Sequence, residues 1–238
     1  MSSNSEKGHA KNVANFETEI SFCTAYGTAY NPSKESLKLE ALNSLLFQSR
    51  TSLSEVINAK NLLDLAINER QIAFSTLKPT STRIMNALGA TDASKQTIDD
   101  AKSINNKIQG KRVSAKPTEG EEKKTISTSQ QSYDSLVDNF SKLIDLIASE
   151  PSYTPNETEL QVRTLATYVR QLHTANTNVI NANTVYSNTM ISRDNTMYSN
   201  DTGLVDIALN VKKYVKSVFG ATSPQYKQVS KLEFTRPK

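Results

Sequence analysis

Two arginines are the residues of this sequence whose type and placement most directly suggest chemistry. Arg70 and Arg193 stand 123 positions apart, and each falls in an apolar stripe that we predict to be helical. A guanidinium in such a stripe needs a partner, because an unpaired buried charge is costly. Two explanations stay open: an arginine that reaches the bundle edge or fixes a pairing register, and an anion site formed by both arginines.

Other reactive groups are few and scattered. We interpret the lone cysteine, Cys23, as a small buried apolar residue rather than a reactive thiol. His9 and His173 are the only histidines, too few for a metal-ligand cluster. No acidic pair recurs, and Lys60 has no lysine counterpart. We therefore predict no catalytic residue, no cofactor and no metal site.

The segment from Asn210 onward is strongly basic, while the whole chain carries a formal net charge of only +4. A solvated helix face explains such a segment, and so does an anionic or nucleic-acid partner. The candidate contact residues for that partner are Lys212, Lys213, Lys216, Arg70 and Arg193.

Short sequence motifs that recur in the same order in both halves of the chain indicate an internal duplication. The sequence VINA occurs at 56–59 and again at 179–182, and "LGATDASKQTI" at 88–98 resembles "FGATSPQYKQV" at 219–229. The segment VANFETEI likewise matches VDNFSKLI. We predict a disordered segment over 1–11, a first helical repeat over 12–110, a solvated linker over 111–126 and a second repeat over 127–238.

Each repeat contains a long apolar stripe with a 3.5-residue period, which predicts one helix of about 44 residues beginning just after a Tyr-x-Pro pair. Ser33 and Asn156 are the candidate N-caps. The stripe includes polar positions. Polar residues in a helix seam commonly lower stability but favour one particular register or partner helix. These polar positions are Lys60, Asn176 and Asn183.

The two Gly-Ala-Thr words predict joints between helices rather than phosphate-binding loops, which need more glycine and a Lys-Ser/Thr pair. We expect Gly89 and Gly220 to end a helix in the left-handed conformation. Asp92 and Ser223 are the expected N-caps of the helices that follow, and Pro224 suits a first helical position.

The amino-terminal segment lacks the apolar region of a secretory signal, and no run approaches the roughly 18 apolar residues of a membrane helix. These features predict a soluble cytoplasmic protein without membrane insertion.

The words YxPNExEL and VINA, the halfway linker and the block 203–234 resemble a family of internally duplicated, all-helical proteins of Bacteroidota-type bacteria. The block 203–234 is the most specific part of the match, which covers nearly the whole chain from Asn12 onward. The resemblance implies a cytoplasmic all-helical protein and supplies no activity, cofactor or functional residue.

Together these features predict an all-α protein, an elongated bundle of two repeats related by a pseudo-twofold axis, each with one very long helix. The predicted function is a non-enzymatic structural or interaction protein that forms homo-oligomers through its long helices. The alternative is a protein that binds nucleic acid or another anion through its basic segment.

Overall fold

The computed structural model describes residues 4–111 and 131–237, and for residues 4–7 it describes the backbone alone. This described part of the chain is helical and has no strand, which confirms the predicted all-α class. The helices are α1 (Asn4–Ala25), α2 (Leu39–Ser75), α3 (Leu77–Gly89), α4 (Lys95–Gln109), α5 (Tyr133–Ser149), α6 (Val162–Tyr198), α7 (Leu204–Phe219) and α8 (Pro224–Ser230).

Two segments predicted to lie outside the helical repeats can be compared with the structure to different extents. Residues 4–11 of the segment predicted to be disordered belong to α1, and His9 among them is buried. The linker predicted over 111–126 lies outside the described residues apart from Lys111.

The chain packs into two compact units. Unit 1 comprises Met1–Leu62 and Asn183–Lys238, and unit 2 comprises Leu63–Ala182. Both long helices therefore contribute residues to each unit. Each unit combines residues from both predicted repeats. The compact units therefore do not coincide with the two repeats along the chain.

Each unit has its own apolar core. In unit 1, the α1 residues Phe16, Ile20 and Cys23 belong to one buried cluster that includes much of α7. In unit 2, a second cluster includes Phe140 and Leu143 of α5 together with residues of α3 and α4. These faces repeat every three or four residues, which is the spacing of one side of a helix.

The Tyr-x-Pro words form the corners that lead into the long helices. The buried Tyr30 hydroxyl donates to the carbonyl of Leu37 at 2.7 Å, and Tyr153 donates to Leu160 at 3.1 Å. Each corner contains a short 3-10 turn, so α2 begins at Leu39 and α6 at Val162. The N-caps predicted at Ser33 and Asn156 are therefore wrong.

Both long helices have 37 residues, which is shorter than expected. The first one stops at Ser75, and α3 begins at Leu77 after a single intervening residue. Pro79 explains this break, because its ring lacks the N–H that would bond to the Ser75 carbonyl and crowds that carbonyl.

The buried stripe of the long helices differs from the predicted one at two polar positions. Lys60 and Asn183 are exposed, whereas Asn176 is buried as expected. On α2 the stripe passes instead through Ala59 and Ala66, which keep the alternating spacing of three and four residues. The Lys60 side chain therefore lies in solvent, while alanines complete the buried stripe.

Both Gly-Ala-Thr words join two helices, but through different backbone conformations. Gly89 is the last residue of α3 and lacks a positive φ, so its predicted left-handed conformation is wrong. Gly220 has φ +90° and ψ 156°, a region that only glycine adopts readily and that is not left-handed helical. The left-handed helix end is Gly110, with φ 71° and ψ 23° after α4.

The N-caps of the following helices also differ between the two words. Ser94, and not Asp92, caps α4, because its hydroxyl accepts a hydrogen bond from the Thr97 N–H at 3.1 Å. Ser223 caps α8 as expected, accepting from the Tyr226 N–H at 3.1 Å, and Pro224 is the first helical residue.

This contrast makes the two glycines a matched pair for mutagenesis. We expect Gly89→Ala to raise the free energy of unfolding by about 0.5–1 kcal/mol, because alanine is the better helix former and its Cβ meets no atom within 4 Å. Gly220→Ala meets no atom either, yet we expect it to lower that free energy by about 1–3 kcal/mol through backbone strain alone. Urea unfolding of both variants measures these changes. If both substitutions changed the free energy of unfolding in the same direction, the different backbone conformations assigned to Gly89 and Gly220 would be contradicted.

Candidate functional site

Arg70 lies in unit 2 in a network of polar and aromatic side chains. Its Nη1 donates to Asn176 Oδ1 at 2.9 Å, and its guanidinium carbon lies 3.9 Å from the centre of the Tyr133 ring. The Asn176 amide in turn donates to Asp134 Oδ1 at 2.5 Å. Arg70 Nε is buried without a hydrogen-bond partner. The contacts hold the guanidinium within the helical packing of unit 2, and the register-fixing role and the anion site both stay predictions.

Arg193 lies in unit 1 and is 4% exposed. Its Nε and Nη2 donate to Asp194 Oδ1 at 3.0 and 2.9 Å. The sequence places Asp194 on another helix face, but its carboxylate turns back to meet the guanidinium. Arg70 and Arg193 belong to different compact units, and each has its own polar partners within its unit.

The three lysines of the basic segment differ in exposure. Lys212 is half-buried, its ammonium donates to the Leu232 carbonyl, and it lies 5.0 Å from the centre of the Phe234 ring. Lys213 and Lys216 are exposed, with Lys216 placed 5.6 Å from the Tyr226 ring centre. Of the five candidate anion-binding residues only these two are exposed, and binding of an anion or nucleic acid through them stays a prediction.

A segment that we call the strap, Leu232–Arg236, lies in unit 1 against α1 and is held by side chains that bind its main chain. Asn12 is 1% exposed; its Nδ2 donates to the Thr235 carbonyl at 2.7 Å and its Oδ1 accepts from the Thr235 N–H at 3.0 Å. Asn15 donates to the Glu233 carbonyl at 2.7 Å. Binding of both main-chain polar groups of one residue by an amide side chain mimics the pairing of a neighbouring strand.

Both charged residues of the strap have partners of opposite charge in unit 1. Glu233 Oε2 lies 3.6 Å from Lys11 Nζ on α1. The Arg236 guanidinium donates to Asp206 Oδ1 and to the Tyr198 carbonyl, both at 2.7 Å. The bond from Arg236 lowers the pKa of the Asp206 carboxyl, and the Tyr198 carbonyl ends α6, where a cation is favourable.

Sequence reasoning missed Glu19, the most unusual residue of unit 1. It is 0% exposed, and neither carboxylate oxygen has a hydrogen-bond partner. Burial raises its pKa to about 9, against a smaller opposing effect of Lys212. The match of VANFETEI with VDNFSKLI contains the signal that could have found it, because Glu19 aligns there with Leu143, a core residue of unit 2.

Cys23 is buried, as the sequence predicts, one helical turn from Glu19. Burial, with an added contribution from Glu19, raises the pKa of its thiol to about 12. A thiol in this environment stays protonated and is a poor nucleophile. His9 is also buried, with Nδ1 2.6 Å from the Tyr198 hydroxyl, whereas His173 is exposed.

No family model, curated protein or solved structure matches the chain. The resemblance to a duplicated helical family therefore stays a prediction. Among the described residues, no group of three His, Cys, Asp or Glu side chains could hold a metal ion. None of the helices in the described ranges is both long and apolar enough to span a bilayer.

Unit 2 also has two open grooves lined by polar and apolar groups. One has a volume of about 270 Å³ and the other about 440 Å³, and Thr167 and Gln171 line both. Threonine is the most frequent lining residue of the first groove, the second also has Arg170, Asn178 and two alanines, and neither groove contains a cysteine, serine or histidine. The grooves therefore present hydroxyl, amide and charged groups beside apolar surface.

Large apolar side chains are exposed mainly on the two long helices. Ile57 and Leu62 of α2 are 59% and 60% exposed, and Ile180 and Val185 of α6 are 55% and 52% exposed. The offset of 123 positions that aligns the two VINA words also aligns Ile57 with Ile180 and Leu62 with Val185. Further exposed apolar residues on these helices are Phe47, Leu65, Ile72 and Ile191.

Proposed function

We propose that this protein is a non-enzymatic interaction protein that binds further copies of itself through apolar side chains on α2 and α6. The observation that carries the proposal is the exposure of aliphatic side chains at matching places of the two helices: Ile57 with Ile180, and Leu62 with Val185. Single exposed apolar residues are ordinary, but exposed groups concentrated on two elements mark an interaction surface.

A second copy is the partner that these residues favour. In a homodimer with twofold symmetry the same patch meets itself, so one set of apolar side chains supplies both halves of the contact. Helical side chains repeating along α2 and α6 suit packing against another helix of the same kind.

We further propose that the two halves of the chain are copies of one helical unit. The order of a shorter helix, a long helix and two shorter helices occurs twice, as α1–α4 and α5–α8. The hydrogen bonds of Tyr30 and Tyr153 that precede the long helices support the same origin. The pseudo-twofold arrangement of the copies and the cytoplasmic location stay predictions.

The test changes the exposed side chains without touching a core. We expect Ile57→Glu combined with Ile180→Glu to raise the dimer dissociation constant at least about 100-fold, because each buried isoleucine contributes about 1.5–3 kcal/mol. Light scattering of the eluting protein over a roughly hundredfold concentration range measures association.

The control places the same charges outside the two long helices, as Ser103→Glu with Thr222→Glu. Both residues are exposed, and neither belongs to α2 or α6. The control protein should associate like the wild type. A wild-type protein that stays monomeric over the whole concentration range would overturn the proposal.

A further inference from the structure

We propose that the face of α1 that carries Asn12 and Asn15 is a recognition site for an extended peptide, and that the partner it fits is the strap of a second copy. In this structure the site holds the strap of its own chain. The inference rests on the proposed self-association, because it describes how two associated copies exchange the same segment.

The contacts are of the kind that recognises an extended peptide. Asn12 binds the N–H and the carbonyl of Thr235, Asn15 binds the Glu233 carbonyl, and Lys212 binds the Leu232 carbonyl. Three carbonyls of one short segment are thus bound by side chains of α1 and α7. Main-chain bonds of this type give affinity for any extended segment, and the side chains give the specificity.

The charges restrict the peptide to one like the strap itself. Glu233 faces Lys11, and Arg236 faces Asp206. An occupant therefore needs an acidic residue and, three positions later, an arginine. A second copy brings a segment with both, and it also brings a site for the segment that it displaces, so a twofold exchange preserves every contact.

The strap can leave its site without moving a fully buried residue of its own, and the contact that the core of unit 1 loses is that of the half-buried Phe234. Glu233, Thr235 and Arg236 are exposed, and Leu232 and Phe234 are half-buried. Its connection to α8 is Lys231, which is also exposed. The buried residue nearest along the chain is Val229, which stays in α8 when the strap moves.

Exchange depends on prior association for a quantitative reason. A tethered strap has an effective concentration of about 1 mM at its own site, far above the concentration of a second copy in dilute solution. The proposal requires that copies held together by their long helices bring the second strap to a comparable effective concentration. Exchange is therefore expected in the dimer and not between separate monomers.

The ion pair between Lys11 and Glu233 allows a direct test on the full chain. A carbodiimide joins an ammonium to an adjacent carboxylate without a spacer, and these side chains are 62% and 76% exposed. Copies with normal and heavy nitrogen are mixed in equal amounts, refolded together, cross-linked and digested. We expect about a quarter of the Lys11–Glu233 cross-links to combine one normal and one heavy peptide when the protein is dimeric, because half of the dimers contain one copy of each kind and the strap divides equally between two equivalent sites.

The pair Lys38 and Glu35 is the internal control. These groups are 2.6 Å apart and three residues apart in sequence, so their cross-link stays within one chain and has a single isotope. Thr235→Pro is the control for the site, because it removes the N–H that Asn12 accepts at an exposed position. In this variant the Lys11–Glu233 cross-link should decrease at least several-fold.

The outcomes separate the two proposals. Single-isotope Lys11–Glu233 cross-links in a protein that light scattering shows to be dimeric would overturn the exchange and leave self-association standing. A monomer at every concentration, with single-isotope cross-links, would overturn both. Mixed-isotope cross-links that persist in Thr235→Pro would show that the cross-link does not report this site, and would also overturn the exchange.

Discussion

Replacing Glu19 with leucine is expected to stabilise the protein, by an amount that grows with pH. The buried carboxyl of Glu19 has no hydrogen-bond partner, and burial raises its pKa from 4.5 to about 9. Leucine has a similar size and occupies the aligned position 143 in the core of unit 2. The substitution therefore removes an unsatisfied buried group without leaving a large cavity.

The direction of the pH effect follows from proton binding. Between pH 4.5 and about 9 the folded protein keeps the Glu19 proton and the unfolded chain releases it, so the free energy of unfolding falls as pH rises. The contribution is fully present below pH 4.5 and is lost as pH rises towards 9. Each pH unit corresponds to at most about 1.4 kcal/mol, or about 4 kcal/mol from pH 5 to pH 8.

Urea unfolding at several pH values measures this prediction. We expect Glu19→Leu to exceed the wild type by about 1–3 kcal/mol near pH 5, the cost of a neutral buried group without a partner, and by several kcal/mol more near pH 8. Glu17→Gln is the control on the same helix, because Glu17 is 52% exposed and pairs with Arg50. Equal pH dependence in wild type and Glu19→Leu would contradict the burial of this charge.

The period of the apolar residues and the positions of glycine and proline predicted much of the helical structure. The apolar period predicted the long helices, and the repeated Gly-Ala-Thr motifs marked the joints between the shorter helices. The errors arose where local chemistry competes: Pro79 ended α2 early, and 3-10 turns displaced the caps expected at Ser33 and Asn156. At the joints, the same Gly-Ala-Thr letters adopt two conformations, since Gly89 is the last helical residue of α3 and Gly220 lies outside α7 with a positive φ.

Sequence reasoning was weaker on the candidate sites, because their contacts join residues that are distant along the chain. Asn12 and Thr235 are separated by 223 positions, and no local pattern connects them. Lys212 resembled a solvated cation, yet its ammonium lies on the strap. Glu19 is the exception, since its alignment with Leu143 marks a polar residue where the second repeat buries an apolar one.

Gly203 precedes α7, and the space around it determines the second large expected effect. Its φ of −70° suits any residue, so backbone conformation does not require glycine. A Cβ would, however, lie 2.6 Å from Ser199 N and 2.8 Å from both Ser199 O and Tyr198 N. These are backbone atoms of the last turn of α6 and the residue after it, which cannot yield as the end of a flexible side chain does.

We expect Gly203→Ala to lower the free energy of unfolding by about 3 kcal/mol, near the upper end for overpacking. The methyl group would separate α7 from the end of α6, break the 2.8 Å bond from the Gly203 N–H to the Ser199 carbonyl, and shift Leu204 and Val205 in the core of unit 1. Urea unfolding measures the loss. Gly89→Ala is the matched control, because the same added methyl meets nothing within 4 Å there. If both alanine variants were equally stable, close approach of the backbone at Gly203 would not be what requires glycine.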